Sequence, residues 1–300
     1  MKDKALLTQD NKSHLGTQRD WFWRGWRIRY TYIRPARTAQ DPLPLVFLHG
    51  FGSALGQWRA NLMPLSQHHA IYALDFLGFG GSQKAPARYN TDLWANLTYD
   101  FFSSFIGQKA IIIGHSLGAL VALTAASKYP EMTKGLVLLT LPEAKASQPP
   151  AFARAIERTF ASAPLLWPLF QFVRQPAFLR LVLKKIIYVR PELVDEELVA
   201  MFAEPPRDRG ALDVLSRLAR SLRDPDYGSK TVREMLPELQ VPLLVLWGKE
   251  DRVVPLSGFR QLIHLNPNLQ LVELENAGHC AYDEYPEKTN QEILNWLANC

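Results

Sequence analysis

The chain has 300 residues, 47% hydrophobic and 21% charged, with a formal net charge of +5, a globular composition with apolar material for one large core and an insertion. Two cysteines, Cys280 and Cys300, argue against a disulfide framework and for a reducing compartment. No run approaches the roughly 18 apolar residues of a membrane-spanning helix, and residues 1–16 hold no secretory apolar stretch.

In chain order, residues 1–18 read as a polar, flexible tail. Residues 21–26 and 27–34 alternate bulky apolar with polar side chains around Gly25 and predict an antiparallel hairpin. Residues 35–44 are a loop. Leu45-Val46-Phe47-Leu48 is a continuous apolar run, the pattern of a strand buried on both faces. A helix is expected over 57–67, a strand over 70–76, a glycine-rich turn over 77–82 and a helix over 92–105. Ile111-Ile112-Ile113 then runs into Gly114-His115-Ser116-Leu117-Gly118 and a helical pattern to Tyr129, which is strand, sharp turn, helix. A strand over 135–140 follows. Residues 141–235 are proline-punctuated and helical, without a strand pattern. The alternation then resumes with strands over 242–247 and 269–275 and helices over 256–265 and 286–297. Alternating strands and helices imply a mostly parallel sheet covered on both faces. We therefore expect an α/β chain with eight strands and a helical cap after the sixth. The core would be residues 19–142 and 236–300, and the cap 143–235.

The turn at Ser116 leaves room for one side chain at its apex, because the flanking Gly114 and Gly118 mark a close crossing of strand and helix. A serine hydroxyl there is a candidate nucleophile, and it needs a base oriented by a carboxylate. Of seven histidines, His14 lies in the tail and His68, His69 and His264 at the ends of predicted surface helices. His115 adjoins the nucleophile and is expected to pack beneath the turn. His49 is expected to brace its loop. His279, after the last strand, falls at the carboxyl edge of the sheet, where chemistry gathers in open α/β folds, and is the candidate base. Two acids fit the order Ser, acid, His: Asp251 after the seventh strand and, as the alternative, Glu143 after the sixth. Asp251 is preferred for its tight Gly-x-x-Asp-x-x-Val-Pro setting. The N–H groups of Leu117, at a helix N-terminus, and Phe51, in His49-Gly50-Phe51-Gly52, are the candidate oxyanion donors. Asp75 is expected to order the 77–82 turn. No metal-ligand cluster or dinucleotide fingerprint is present, so no cofactor and no metal is expected.

Together with Asp75-Phe76-Leu77-Gly78-Phe79-Gly80 and Trp247-Gly248-Lys249-Glu250-Asp251, these motifs resemble the α/β-hydrolase superfamily over about residues 20–298. The stretches 72–80 and 277–287 are more narrowly similar to the pheophytinase and chlorophyll dephytylase group of plants and cyanobacteria, although His115 and Ala119 replace an Asn and a Gly common there. The resemblance implies an α/β-hydrolase fold and a serine ester hydrolase acting on a large hydrophobic ester, such as the phytyl ester of chlorophyll or pheophytin. The alternatives are a carboxylesterase or lipase on smaller esters, or a non-catalytic membrane- or ligand-binding protein that keeps the fold. Epoxide hydrolases and haloalkane dehalogenases attack with aspartate where this chain has Ser116, and dehalogenases carry a Trp where it has Leu117.

Residues 151–190 hold seven basic side chains (Arg154, Arg158, Arg174, Arg180, Lys184, Lys185 and Arg190) and one acidic, Glu157, interleaved with bulky apolar residues. That pattern suggests peripheral contact with an anionic membrane, against the plainer reading of a packed cap with a solvated basic rim. Nucleic acid is not expected, because no reader motif accompanies the charge. The expected location is the cytoplasm, or a thylakoid surface if the substrate is a pigment.

Overall fold

The computed structural model describes residues 14–36, 43–143, 167, 170–172, 174–221 and 230–300. The strands are β1 (Thr17–Trp23), β2 (Trp26–Ile33), β3 (Leu45–Leu48), β4 (Ile71–Leu74), β5 (Ala110–His115), β6 (Thr133–Leu139), β7 (Leu243–Gly248) and β8 (Leu269–Leu274). They form one eight-stranded sheet in the order β1-β2-β4-β3-β5-β6-β7-β8. β2 runs antiparallel to both of its neighbours, and every pair from β4 to β8 is parallel. This is the α/β-hydrolase fold.

The apolar runs at the centre are buried on both faces, and alternate side chains feed two cores. Val46, Leu48, Ile112 and Leu138 face one core, with helix α2 (Thr91–Phe105) and helix α3 (Leu117–Lys128). Phe47, Ile113, Val137 and Leu246 face the other, with Trp58, Leu62 and the C-terminal helix Pro286–Leu297. Residues 117–126 of α3 are all buried, because the helix is sandwiched between the sheet and its neighbours rather than lying at the surface. Asn90 caps α2 through its side chain, which accepts from the Leu93 N–H at 2.8 Å.

Three elements differ from the sequence reading. The helix expected over 57–67 is a single turn at Leu55–Trp58 and a short helix α1 (Leu62–Leu65). Between them Asn61 is buried, and its amide donates to the Tyr282 carbonyl at 3.2 Å and to Asn290 Oδ1 at 2.9 Å, which fixes the break. The helix expected over 256–265 stops at Arg260 and resumes as one turn at Ile263–Leu265. The first strand begins at Thr17, and Leu15 is buried with its carbonyl accepting from Thr31 Oγ1 at 2.7 Å, so order begins inside the stretch read as a tail. Of the expected cap, residues 144–166, 168–169, 173 and 222–229 lie outside the described residues. Its described residues form helices and turns, chiefly Pro176–Val182, Glu196–Ala203 and Ala211–Ser221.

Candidate active site

β5 ends in a turn that only this glycine spacing permits. A Cβ on Gly114 would lie 2.2 Å from the Gly118 carbonyl oxygen, and a Cβ on Gly118 would lie 2.1 Å from that of Leu48. Strand and helix therefore cross backbone to backbone. Ser116 sits between them at φ 52°, a left-handed conformation that costs a non-glycine residue of order 1 kcal/mol or more. The surrounding bonds enforce it: Ser116 N–H donates to the Leu139 carbonyl at 2.9 Å, and the Ser116 carbonyl accepts from Ala119 and Leu120 at 2.9 and 3.1 Å. Leu117 opens α3, so its N–H has no acceptor within the helix.

His279 follows β8 and is buried. Its Nδ1 lies 2.8 Å from Asp251 Oδ2, so Nδ1 carries the proton and donates to the carboxylate. That tautomer leaves the Nε2 lone pair free. Asp251 is held from four sides: its Oδ1 accepts from the Val253 and Val254 N–H groups at 2.8 and 2.9 Å, and its Oδ2 also accepts from Thr140 Oγ1 at 3.3 Å. Glu143 is exposed and is not among the partners of His279. Phe51 lies on the loop after β3 with its ring about half exposed. That loop is shaped by the Gly50 N–H donating to Gln57 Oε1 at 3.0 Å.

The other buried polar residues brace this frame. His49 Nε2 accepts from the Phe76 N–H at 2.9 Å, so its Nδ1 carries the hydrogen and donates to the Gly50 carbonyl at 2.7 Å. Asp75 accepts from the Leu55 and Gly81 N–H groups at 2.5 and 2.6 Å, tying the 77–82 turn to the loop after β3. His115 is buried beneath the turn, with Nε2 donating to the His279 carbonyl at 2.9 Å and its ring 4.8 Å from that of His279.

Sequence reasoning missed Glu284. Its buried carboxylate accepts from the N–H groups of Gly278 at 2.7 Å and of Val189 and Arg190, each at 2.8 Å. One side chain thus clamps the His279 loop to the segment between β6 and β7. The His279 N–H adds a bond to the Ile187 carbonyl at 3.0 Å. Beside it Asp283 accepts two bonds from Arg59, at 3.0 and 3.1 Å, and one from Tyr188 at 2.8 Å. The available signal was an acidic pair at 283–284, close after the candidate base, in an otherwise apolar stretch.

A cavity of about 250 Å³ adjoins the Phe51 loop. Phe51, Phe79, Phe178, Val182 and Leu218 are among its lining residues. Lys84 also lines it, but its ammonium is already bonded to the Gly80 and Ser82 carbonyls and lies 2.9 Å from Asp208. Among the described residues no group of three His, Cys, Asp or Glu side chains could hold a metal ion.

The family model described as "Alpha/beta hydrolase family" matches residues 45–292. The chain belongs to this family. The class of chemistry that goes with it is hydrolysis. The chain is 28% identical over 264 residues to 2-hydroxymuconate semialdehyde hydrolase of Pseudomonas putida, covering 86% of this chain and 88% of that one. It is 29% identical over 254 residues to the dihydrolipoyllysine-residue acetyltransferase component of an acetoin cleaving system of the same species. That match covers 85% of this chain but only 63% of the longer relative. Among solved structures, a bacterial membrane phospholipase A superposes with a TM-score of 0.77 at 24% identity, covering 96% of this hydrolase and 88% of that chain.

The buried histidines make the stability of this hydrolase pH-dependent. Burial pushes His49 down to about 4 and holds His115 well below the ordinary histidine value of 6.5. Both take up protons in the unfolded chain first, so their contribution is complete above pH 6.5 and is lost as pH falls toward 4. Asp75 runs the other way, because burial raises it to about 6, and its contribution is lost as pH rises through that value. Burial also raises Glu284 and lowers His69, so three depressed histidines stand against two raised carboxyls. The melting temperature is therefore expected to fall between pH 6.5 and pH 4. A flat or rising melting temperature over that window would contradict the neutral state assigned to both rings.

Proposed function

We propose that the protein is a serine carboxylic-ester hydrolase, with Ser116 as nucleophile, His279 as base and Asp251 as the orienting acid. The observation that carries this reading is the 2.8 Å contact from His279 Nδ1 to Asp251 Oδ2, on the sheet edge that also holds the strained serine turn. Ser116 Oγ attacks the ester carbonyl carbon and passes its proton to His279 Nε2. The oxyanion is held by the N–H groups of Leu117 and Phe51. The C–O bond to the alcohol breaks, and His279 returns the proton to the departing oxygen. Water, deprotonated by the same ring, then releases the acid and restores Ser116.

The cavity supports an ester with a bulky apolar portion, since its lining is mostly apolar and, of its two cations, Lys84 is bonded and paired with Asp208 and Arg174 lies over the Phe170 ring. The phytyl ester of a chlorophyll-type pigment is the narrowest form of this proposal, supported by the likeness of residues 72–80 and 277–287 to dephytylases. The test is labelling with a fluorophosphonate, followed by peptide mass spectrometry and by turnover of an ester panel that includes chlorophyll. Label on Ser116 and faster turnover as the apolar group lengthens are expected. A protein that neither takes the label nor turns over any ester would be the non-catalytic binding protein instead.

A further inference from the structure

The helix Pro176–Val182 and the wider turn Leu183–Ile187 that continues it are apolar on two sides. Phe178, Leu179 and Val182 line the cavity. Leu181 and Ile186 instead lie 56% and 46% exposed. Phe172, whose ring packs 4.7 Å from that of Phe178, is 58% exposed, and Trp167 is 55% exposed. Single exposed apolar residues are ordinary, but Leu181 and Ile186 exposed on one continuous helical stretch, following a part of the chain that also exposes Phe172 and Trp167, mark a surface that meets something apolar.

Of the described charges around them, Arg174 lines the cavity with its guanidinium 5.8 Å from the Phe170 ring centroid, and the others sort into two groups. Arg180 is held by Glu196 through bonds of 2.7 and 2.6 Å, and Arg190 by Glu192 at 3.1 Å. Both are neutralised where they stand. Lys184 and Lys185 have no carboxylate partner among the described residues, and Lys185 is exposed next to Ile186. Arg154 and Arg158 lie outside the described residues. We propose that this face docks on an anionic lipid surface, with Leu181 and Ile186 entering the interface and Lys184 and Lys185 meeting the headgroups. A second copy of the chain is a poorer fit, because a two-fold pairing would set the same unneutralised lysines against each other on a chain of net charge +5. The contact is peripheral: among the described residues no helix is long and apolar enough to cross a membrane. If the site hydrolyses apolar esters as proposed above, the docked helix roofs the cavity that receives them, and such a substrate could pass from lipid to cavity beneath it.

The test is co-sedimentation of the whole protein with vesicles of phosphatidylcholine, with and without phosphatidylglycerol. Binding is expected only to the anionic vesicles, and high salt should release it. Replacing both lysines (Lys184→Gln with Lys185→Gln) should weaken partition by about thirtyfold. Leu181→Ser with Ile186→Ser should also weaken binding while the charge stays constant. Neither pair lines the cavity, so melting temperature and turnover of a small soluble ester should be unchanged. No sedimentation at low salt would overturn the proposal, as would binding that survives both double variants. A dimer in sedimentation equilibrium that the Leu181/Ile186 pair dissociates would give this face to a second copy. Vesicle binding without any ester turnover would overturn the hydrolytic reading and leave the docking surface standing.

Discussion

Ser116→Ala is expected to lower turnover of any accepted ester by about 10⁴- to 10⁶-fold while leaving the fold intact. The loss is large because the hydroxyl is the atom that bonds to substrate, and neither the oxyanion donors nor the binding cavity can replace it. The fold should not notice, because the structure of the turn is carried by the Ser116 backbone. Its N–H bonds Leu139, and its carbonyl accepts from Ala119 and Leu120. Alanine keeps all three bonds and tolerates φ 52° no worse than serine does. Initial rates and a thermal melt on the same preparation check both halves. Turnover within tenfold of the unsubstituted protein would remove Ser116 as nucleophile, and a collapsed melting temperature would mean that the rate had reported unfolding.

That turn was legible in the sequence because its determinants are local. A β-branched run, two glycines four residues apart and a helical pattern describe a strand that meets a helix with no room for a Cβ at either crossing point. The sheet was legible for a similar reason, since strands buried on both faces appear as unbroken apolar runs. The break in the helix expected at 57–67 was not, because Asn61 gives its amide to Tyr282 and Asn290, partners at the far end of the chain. The same holds for Glu284, whose two acceptor oxygens serve N–H groups on two separate segments. The basic run at 151–190 shows a third kind of limit. Composition counts Arg180 and Lys185 alike, whereas the folded chain neutralises Arg180 against Glu196 and leaves Lys185 without a carboxylate partner among the described residues.

The choice between two acids, open in the sequence, gives the second large expected effect. Asp251→Asn should reduce turnover by about 10⁴-fold, and Glu143→Gln should leave it nearly unchanged. Asp251 Oδ2 accepts the His279 Nδ1–H at 2.8 Å, and this bond keeps Nε2 unprotonated. An amide nitrogen in that place presents a second donor to Nδ1. The imidazole then keeps its proton on Nε2 instead, and the lone pair that should receive the Ser116 proton is gone. Turning the amide over does not escape the problem. Its nitrogen would then face the Val253 and Val254 N–H groups, which Oδ1 accepts at 2.8 and 2.9 Å, and two buried donors would lose their acceptor. Glu143 has no such linkage, since its side chain is exposed and does not reach His279. Steady-state rates on one soluble ester separate the two positions, with fluorophosphonate labelling rate as an independent reading of how readily Ser116 Oγ gives up its proton. Labelling should slow with turnover in Asp251→Asn and stay unchanged in Glu143→Gln. The reverse pattern would move the acid to the end of β6 and would require His279 to turn away from the carboxylate it now faces.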